Sequence, residues 1–332
     1  MHNQELHSHK PGDAVVTNSH LFPSIDQLDI RLIEEFESDA RQTYKDLAAK
    51  LGVSNPTITG RVKRLVDGGV IRTICWADPI SLGYKFRVIF AIYTLPGYGS
   101  DVADRLAANT RISAVHLCTG RFNVMAWALF RTGEDLSDFL SNELKPIPGV
   151  LHVETILTLQ EVKVSLSLVA TDKETRNPEN SEKNLDDLDL KLIRELQTDA
   201  RQKAGQLARK LGVYQSTVFR RMQKLMDEHV IRIGIYTHPF ALGYEGVATI
   251  GLKCDPGKVR DVAEAVASYK QVQYVGICAG RYDIATWVVF RKLNDLRHFV
   301  TVELGSIPGL KDIDTIVNFK LVKMLFQIPI NS

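Results

Sequence analysis

Two stretches carry the residues best suited to contact a polyanion. "LGVSNPTITGRVKRL" runs from Leu51 to Leu65 and "LGVYQSTVFRRMQKL" from Leu211 to Leu225, 160 positions apart. A helical period places Ile58, Val62 and Leu65 on one inward face. Pro56, Thr59, Gly60, Lys63 and Arg64 then point outward, with Ser216, Phe219, Arg220, Gln223 and Lys224 as the second outward set. Arg61 and Arg221 flank these faces. Small polar and amide side chains at a helix N-terminus reach base edges, while cations further along meet phosphates. The expected contacts to double-stranded DNA are therefore Ser54, Asn55, Thr57, Thr59, Arg61, Lys63 and Arg64, with Gln215, Ser216, Thr217, Phe219, Arg220, Arg221 and Lys224. A charge run is usually a solvated face, but this face recurs behind the same turn, which favours DNA.

A second pair of motifs also repeats. "GRFN" at Gly120 to Asn123 answers "GRYD" at Gly280 to Asp283. Gly and Asx residues are what tight hairpins use, and pattern alone does not separate that role from ligand binding. Thr155 and Thr315 are weaker candidates, since a strand Thr is often only a β-former.

The elements that hold these residues are themselves duplicated. A shift of 160 aligns Asp29 to Lys163 with Asp189 to Lys323. So long a period is a duplicated two-part protein rather than a solenoid. Each copy opens on helical spacing, with Leu28, Leu32 and Phe36, then Leu47 and Leu51, then the stretch quoted first. Gly52 and Gly212 suit a left-handed helix end. Ser54 suits an N-cap; Tyr214 does not, so the third helix of copy two is expected to be capped by Gln215 or Ser216 and to start later. β-Branched runs alternating with helical ones follow, in the order β-α-β-β-α-β. The expected fold class is α+β, two copies of a winged helix-turn-helix followed by a ferredoxin-like βαββαβ sensing domain. The expected boundaries are a disordered tail over 1–24, helix-turn-helix units over 25–75 and 185–235, sensing domains over 82–168 and 242–328, and a polar linker over 169–184.

Composition sets outer limits. A hydrophobic fraction of 45% with 24% charged residues is ordinary for a globular chain. A net charge of +2 is too weak to argue for nucleic acid by itself. Cys75, Cys118, Cys254 and Cys278 form no C-x-x-C pair and are expected to be reduced core residues. The start lacks a secretory h-region and no apolar run approaches the ~18 residues of a membrane span, so a cytoplasmic location is expected.

"LDIRLIEEFESDARQTYKDLAAKLGVSNPTITGRVKRLVDGGVIR", then "DPISLGY" and the βαββαβ pattern, resembles the Lrp/AsnC regulators, once per copy and over nearly the whole chain. The resemblance implies a transcriptional regulator whose sensing domains pair, here as an internal pseudo-dimer within a larger homo-oligomer. It also implies an amino-acid effector beside a Gly-x-x-Asp segment. Gly120, Gly280, Tyr282 and Asp283 match, and Asn123 and Thr315 complete the candidate set. Asp283 can pair with an α-ammonium group, whereas Asn123 keeps the acceptor without the charge. The partners expected are DNA, an effector and further copies of the chain, with no cofactor, metal or membrane.

Two other readings stand beside this one. Sirohaem decarboxylases share the architecture, and Arg121 and Arg281 recur and suit an anionic ligand. His116, His152 and His298 have no repeat equivalents, and no nucleophile triad or phosphate loop appears, so the chain is expected not to be an enzyme. An effector-independent DNA-architectural protein is the third possibility.

Overall fold

The computed structural model describes residues 22–165, 167–169, 181–325 and 327–330. Most of the expected tail and linker lies outside these residues.

In copy one, α1 (Gln27–Ser38), α2 (Tyr44–Leu51) and α3 (Asn55–Asp67) form the helical unit, followed by strand β1 (Ile71–Ala77). The sensing half is β2 (Phe86–Thr94), α4 (Gly99–Ala108), β3 (Ile112–Cys118), β4 (Val124–Phe130), α5 (Gly133–Asp138) and β5 (Val150–Val164). Copy two repeats this as α6 (Asp187–Thr198), α7 (Ala204–Leu211), α8 (Gln215–Asp227) and β6 (Ile231–Thr237). Its sensing half is β7 (Gly246–Cys254), α9 (Val259–Ala267), β8 (Val272–Ala279), β9 (Ile284–Phe290), α10 (Leu293–His298) and β10 (Leu310–Met324).

The helix ends follow from single residues. Gly52 and Gly212 end α2 and α7 at φ 69° and 67°, where a Cβ would be strained. The Ser54 hydroxyl accepts the Thr57 N–H at 3.3 Å and starts α3. Tyr214 offers no such cap, yet α8 begins at Gln215, the equivalent of Asn55. The expected later start is therefore corrected: packing of Val218, Met222 and Leu225 in the core holds the first turn in place.

The two copies are woven together. β1 pairs antiparallel with β6 in a two-stranded ribbon that joins the helical units. The core of the first unit accordingly includes Ile235 and Leu242 from copy two, and that of the second includes Cys75, Leu82 and Tyr84 from copy one. The eight remaining strands close a barrel in the order β10-β3-β4-β2-β5-β8-β9-β7. Its two cross-copy seams are β5–β8 and β10–β3. Each sheet packs its outer face on its own helices and its inner face on the other copy.

All four cysteines are free and buried, and burial pushes the Cys118 thiol up to about 12. Among the described residues no helix is long and apolar enough to cross a membrane.

Candidate DNA-binding and effector sites

The exposed face of α3 presents Asn55, Pro56, Thr59, Gly60 and Lys63. The matching face of α8 presents Gln215, Ser216, Phe219, Arg220, Gln223 and Lys224, with Phe219 67% and Tyr214 84% exposed. Sequence reasoning passed over Tyr214 as a failed cap; its exposure beside Phe219 makes it a contact candidate.

The flanking cations behave differently from the expectation. Arg61 Nη1 donates to Asp26 at 2.6 Å and to the fully buried Asp29 at 2.9 Å. Arg64 donates to Asp29 as well, and to the Ser24 carbonyl at 2.7 Å. In copy two Arg221 reaches Asp186 at 2.6 Å and both Asp189 oxygens at 3.0 Å. The Arg61 guanidinium holds the Asp26 carboxyl down to about 2. The Asp189 N–H and Arg221 likewise hold the Asp186 carboxyl below its usual range. Arg61, Arg64 and Arg221 thus clamp the recognition helix to the start of the unit's first helix. They are withdrawn from the phosphate contacts, because each is already neutralised within the fold. Lys63 and Lys224 make only exposed pairs with Asp67 (2.5 Å) and Glu228 (3.9 Å), which exchange with solvent ions cheaply. Thr57 and Thr217 are half-buried in the first turns.

The GRFN and GRYD loops lie between the copies. Arg281 makes a bidentate pair with Glu154 of β5, one contact at 2.7 Å, and so lowers the Glu154 pKa. Arg121 reaches Asp314 of β10 at 3.5 Å, and the Tyr282 hydroxyl donates to the same carboxylate at 2.6 Å. Each loop therefore clasps the last strand of the other copy. Glu154 and Asp314 were missed, although they are repeat equivalents beside Thr155 and Thr315.

The two loops are not alike. At Gly280 (φ 126°) a Cβ would stand 2.9 Å from the Thr155 carbonyl, whereas at Gly120 nothing lies within 4 Å. Asn123 Oδ1 accepts the Thr94 N–H at 2.8 Å. Asp283 accepts the equivalent Cys254 N–H at 2.9 Å and also the Lys253 ammonium at 2.8 Å. Burial raises the Asp283 pKa, but Lys253 and the Cys254 N–H outweigh it and hold the carboxyl below its usual range. The carboxylate expected to receive a ligand ammonium is thus already occupied by one from the chain. Thr315 is half-buried in β10, opposite Ile250.

Residues 25–72 match a winged helix-turn-helix DNA-binding model and residues 185–226 an AsnC-type helix-turn-helix domain. Residues 87–168 and 247–328 both match the Lrp/AsnC ligand binding domain. An uncharacterized HTH-type transcriptional regulator of Pyrococcus furiosus is 39% identical over 132 residues, covering 40% of this chain and 89% of the relative. The HTH-type transcriptional regulator LrpA of Pyrococcus horikoshii is 33% identical over 140 residues, covering 42% of this chain and 99% of LrpA. Each relative thus matches about one copy.

The solved structure of the siroheme decarboxylase NirDL covers 90% of this chain and 93% of its own, at TM-score 0.62 and 14% identity. The expectation that the chain is not an enzyme is corrected by this likeness. Its whole arrangement, helical units included, is one that a decarboxylase carries, so the helix-turn-helix pairs do not argue against catalysis. At that identity the likeness is one of fold.

Proposed function

Because this chain belongs to the Lrp/AsnC family and carries the family's two-part subunit twice, we propose that it regulates transcription by reading an asymmetric DNA site with two unlike helix-turn-helix units. The carrying observation is the pair of exposed helix faces, Asn55, Thr59 and Gly60 on α3 against Gln215, Phe219 and Arg220 on α8. Gln bonds adenine bidentately, Arg suits guanine, and Phe meets a thymine methyl. The half-sites should lie about a helical turn or a multiple apart. Of the cations expected to meet phosphates, Lys63 and Lys224 are those whose only ion pairs among the described residues are exposed ones. The sensing domains are read as responding to a small-molecule effector, an amino acid, near the GRYD loop. Further association of the pseudo-dimer would bring more such units together.

The test compares Lys224→Ala with Arg220→Ala across a set of duplexes. Lys224→Ala should weaken binding to every sequence alike and flatten the salt dependence, while Arg220→Ala should relax preference at one base pair by about 1–3 kcal/mol. Identical behaviour of the two variants would contradict the assignment.

A further inference from the structure

The turn between the first two helices of each unit carries the same four residues, Asp39 to Gln42 and Asp199 to Gln202. Both turns are built alike. The Arg41 N–H donates to Asp39 Oδ1 at 2.9 Å, and the Arg201 N–H to Asp199 Oδ1 at 2.9 Å. Gln42 and Gln202 each donate a side-chain amide back to the first helix, to the Glu35 carbonyl at 2.7 Å and the Glu195 carbonyl at 2.8 Å. The two arginines therefore leave the same local turn, and what separates them is the surface each one meets.

That surface differs between the copies. The Arg201 guanidinium crosses to the other unit and lies over the rings of Tyr44 and Phe36, 4.9 and 5.3 Å from their centroids. Its Nη2 also donates to the Gln42 carbonyl at 3.4 Å. Phe36 is 1% exposed and meets Tyr44 edge-on, with 6.4 Å between centroids. Arg201 thus covers an aromatic pair that belongs to the first unit's core. In copy two the equivalents of Phe36 and Tyr44 are Leu196 and Ala204, which offer a cation no π face. Arg41 is correspondingly exposed, whereas Arg201 is half-buried. The clasp is one-sided.

Its position gives it mechanical weight. The two units are joined through the β1–β6 ribbon and the residues next to it. Rotation about that line is opposed by contacts that lie away from it. Arg201 makes such a contact, since it sits just before α7 and reaches α1 and α2 rather than a ribbon strand.

We propose that Arg201 is a positioning residue, whose cation–π clasp on Tyr44 and Phe36 fixes the separation of α3 and α8 and so the half-site spacing the chain accepts. This role rests on the DNA-binding reading above.

The test titrates the full chain with duplexes carrying both selected half-sites at their selected spacing, or closer or farther by about two base pairs. Duplexes with one half-site alone are titrated beside them. The wild type should prefer the selected spacing. In Arg201→Ala that preference should fall about fivefold, while affinity for each single half-site stays at the wild-type level. Tyr44→Leu should loosen the spacing in the same sense, and the double variant should go no further than Arg201→Ala, because both changes remove one contact. Arg41→Ala, the same residue in the same turn without aromatic partners, should keep the wild-type preference. An unchanged spacing preference in Arg201→Ala, an equal loss on single half-sites, or an equal effect of Arg41→Ala would each overturn the clasp and leave the DNA-binding reading standing. Failure of the wild type to select any duplex would overturn that reading and the clasp's role together.

Discussion

Arg61 and Arg221 stand on the helices that carry the expected base contacts, yet each turns back to the start of the helix that opens its unit. The reason is local charge. Asp29 is 0% exposed and accepts both Arg61 and Arg64, while Asp26 and Asp29 also cap α1 reciprocally. Asp29→Ala would leave two partly buried guanidinium groups without their shared partner and remove half of that cap. The expected cost is about 3–5 kcal/mol, read by chemical denaturation. A loss within experimental error of zero would show that solvent already satisfies the arginines. A helical wheel placed Arg61 between the inward and outward faces and could not decide between them. Its partners lie 35 and 32 residues earlier, and only helix packing brings them near. The recurrence of Asp26 and Asp29 as Asp186 and Asp189 was a legible sign of that role.

At the scale of elements, the three-helix units and the βαββαβ order were legible because apolar periodicity and turn residues report local structure directly. The partner of β1 was not. A strand's sequence says that it has an open edge without saying which strand fills it, and here β6 of the other copy does. The GRYD loop was legible as a turn, but its clasp onto Glu154 was hidden because the contact crosses between copies. The loop also carries the effector prediction. One member of a panel of free amino acids should raise the melting point by mass action, and Asp283→Asn should remove that shift. Because Lys253 already holds Asp283, the incoming ammonium has to displace it or share the carboxylate. If no amino acid changes the melting point, the amino-acid reading fails.

At the scale of the whole molecule, closing eight strands across both copies removes the sheet edges that each half would expose. Two histidines are also buried in the fold, His116 on β3 and His238 just past β6. His116 is 2% and His238 1% exposed, and burial pushes their pKa values down to about 3 and about 4 from 6.5. Between those folded values and 6.5 the unfolded chain binds more protons, so stability should rise with pH across that window and fall on acidification below about 6.5. The expected loss by about pH 5 is on the order of 2 kcal/mol for His116 and somewhat less for His238. Further losses should follow at lower pH as Asp26, Asp186 and Glu154 protonate through their depressed pKa values. Melting curves from about pH 7 to about pH 5 check this; a double His→Gln variant should show a flatter profile, and an equal slope would place the protons elsewhere. The central claim is that one chain reads DNA with two unlike recognition helices. It is tested most directly by selecting binding sites for the full-length protein from a random duplex pool. The account predicts a site whose two half-sites differ, with one of them losing definition in Arg220→Ala. Selection of a perfect palindrome would contradict it.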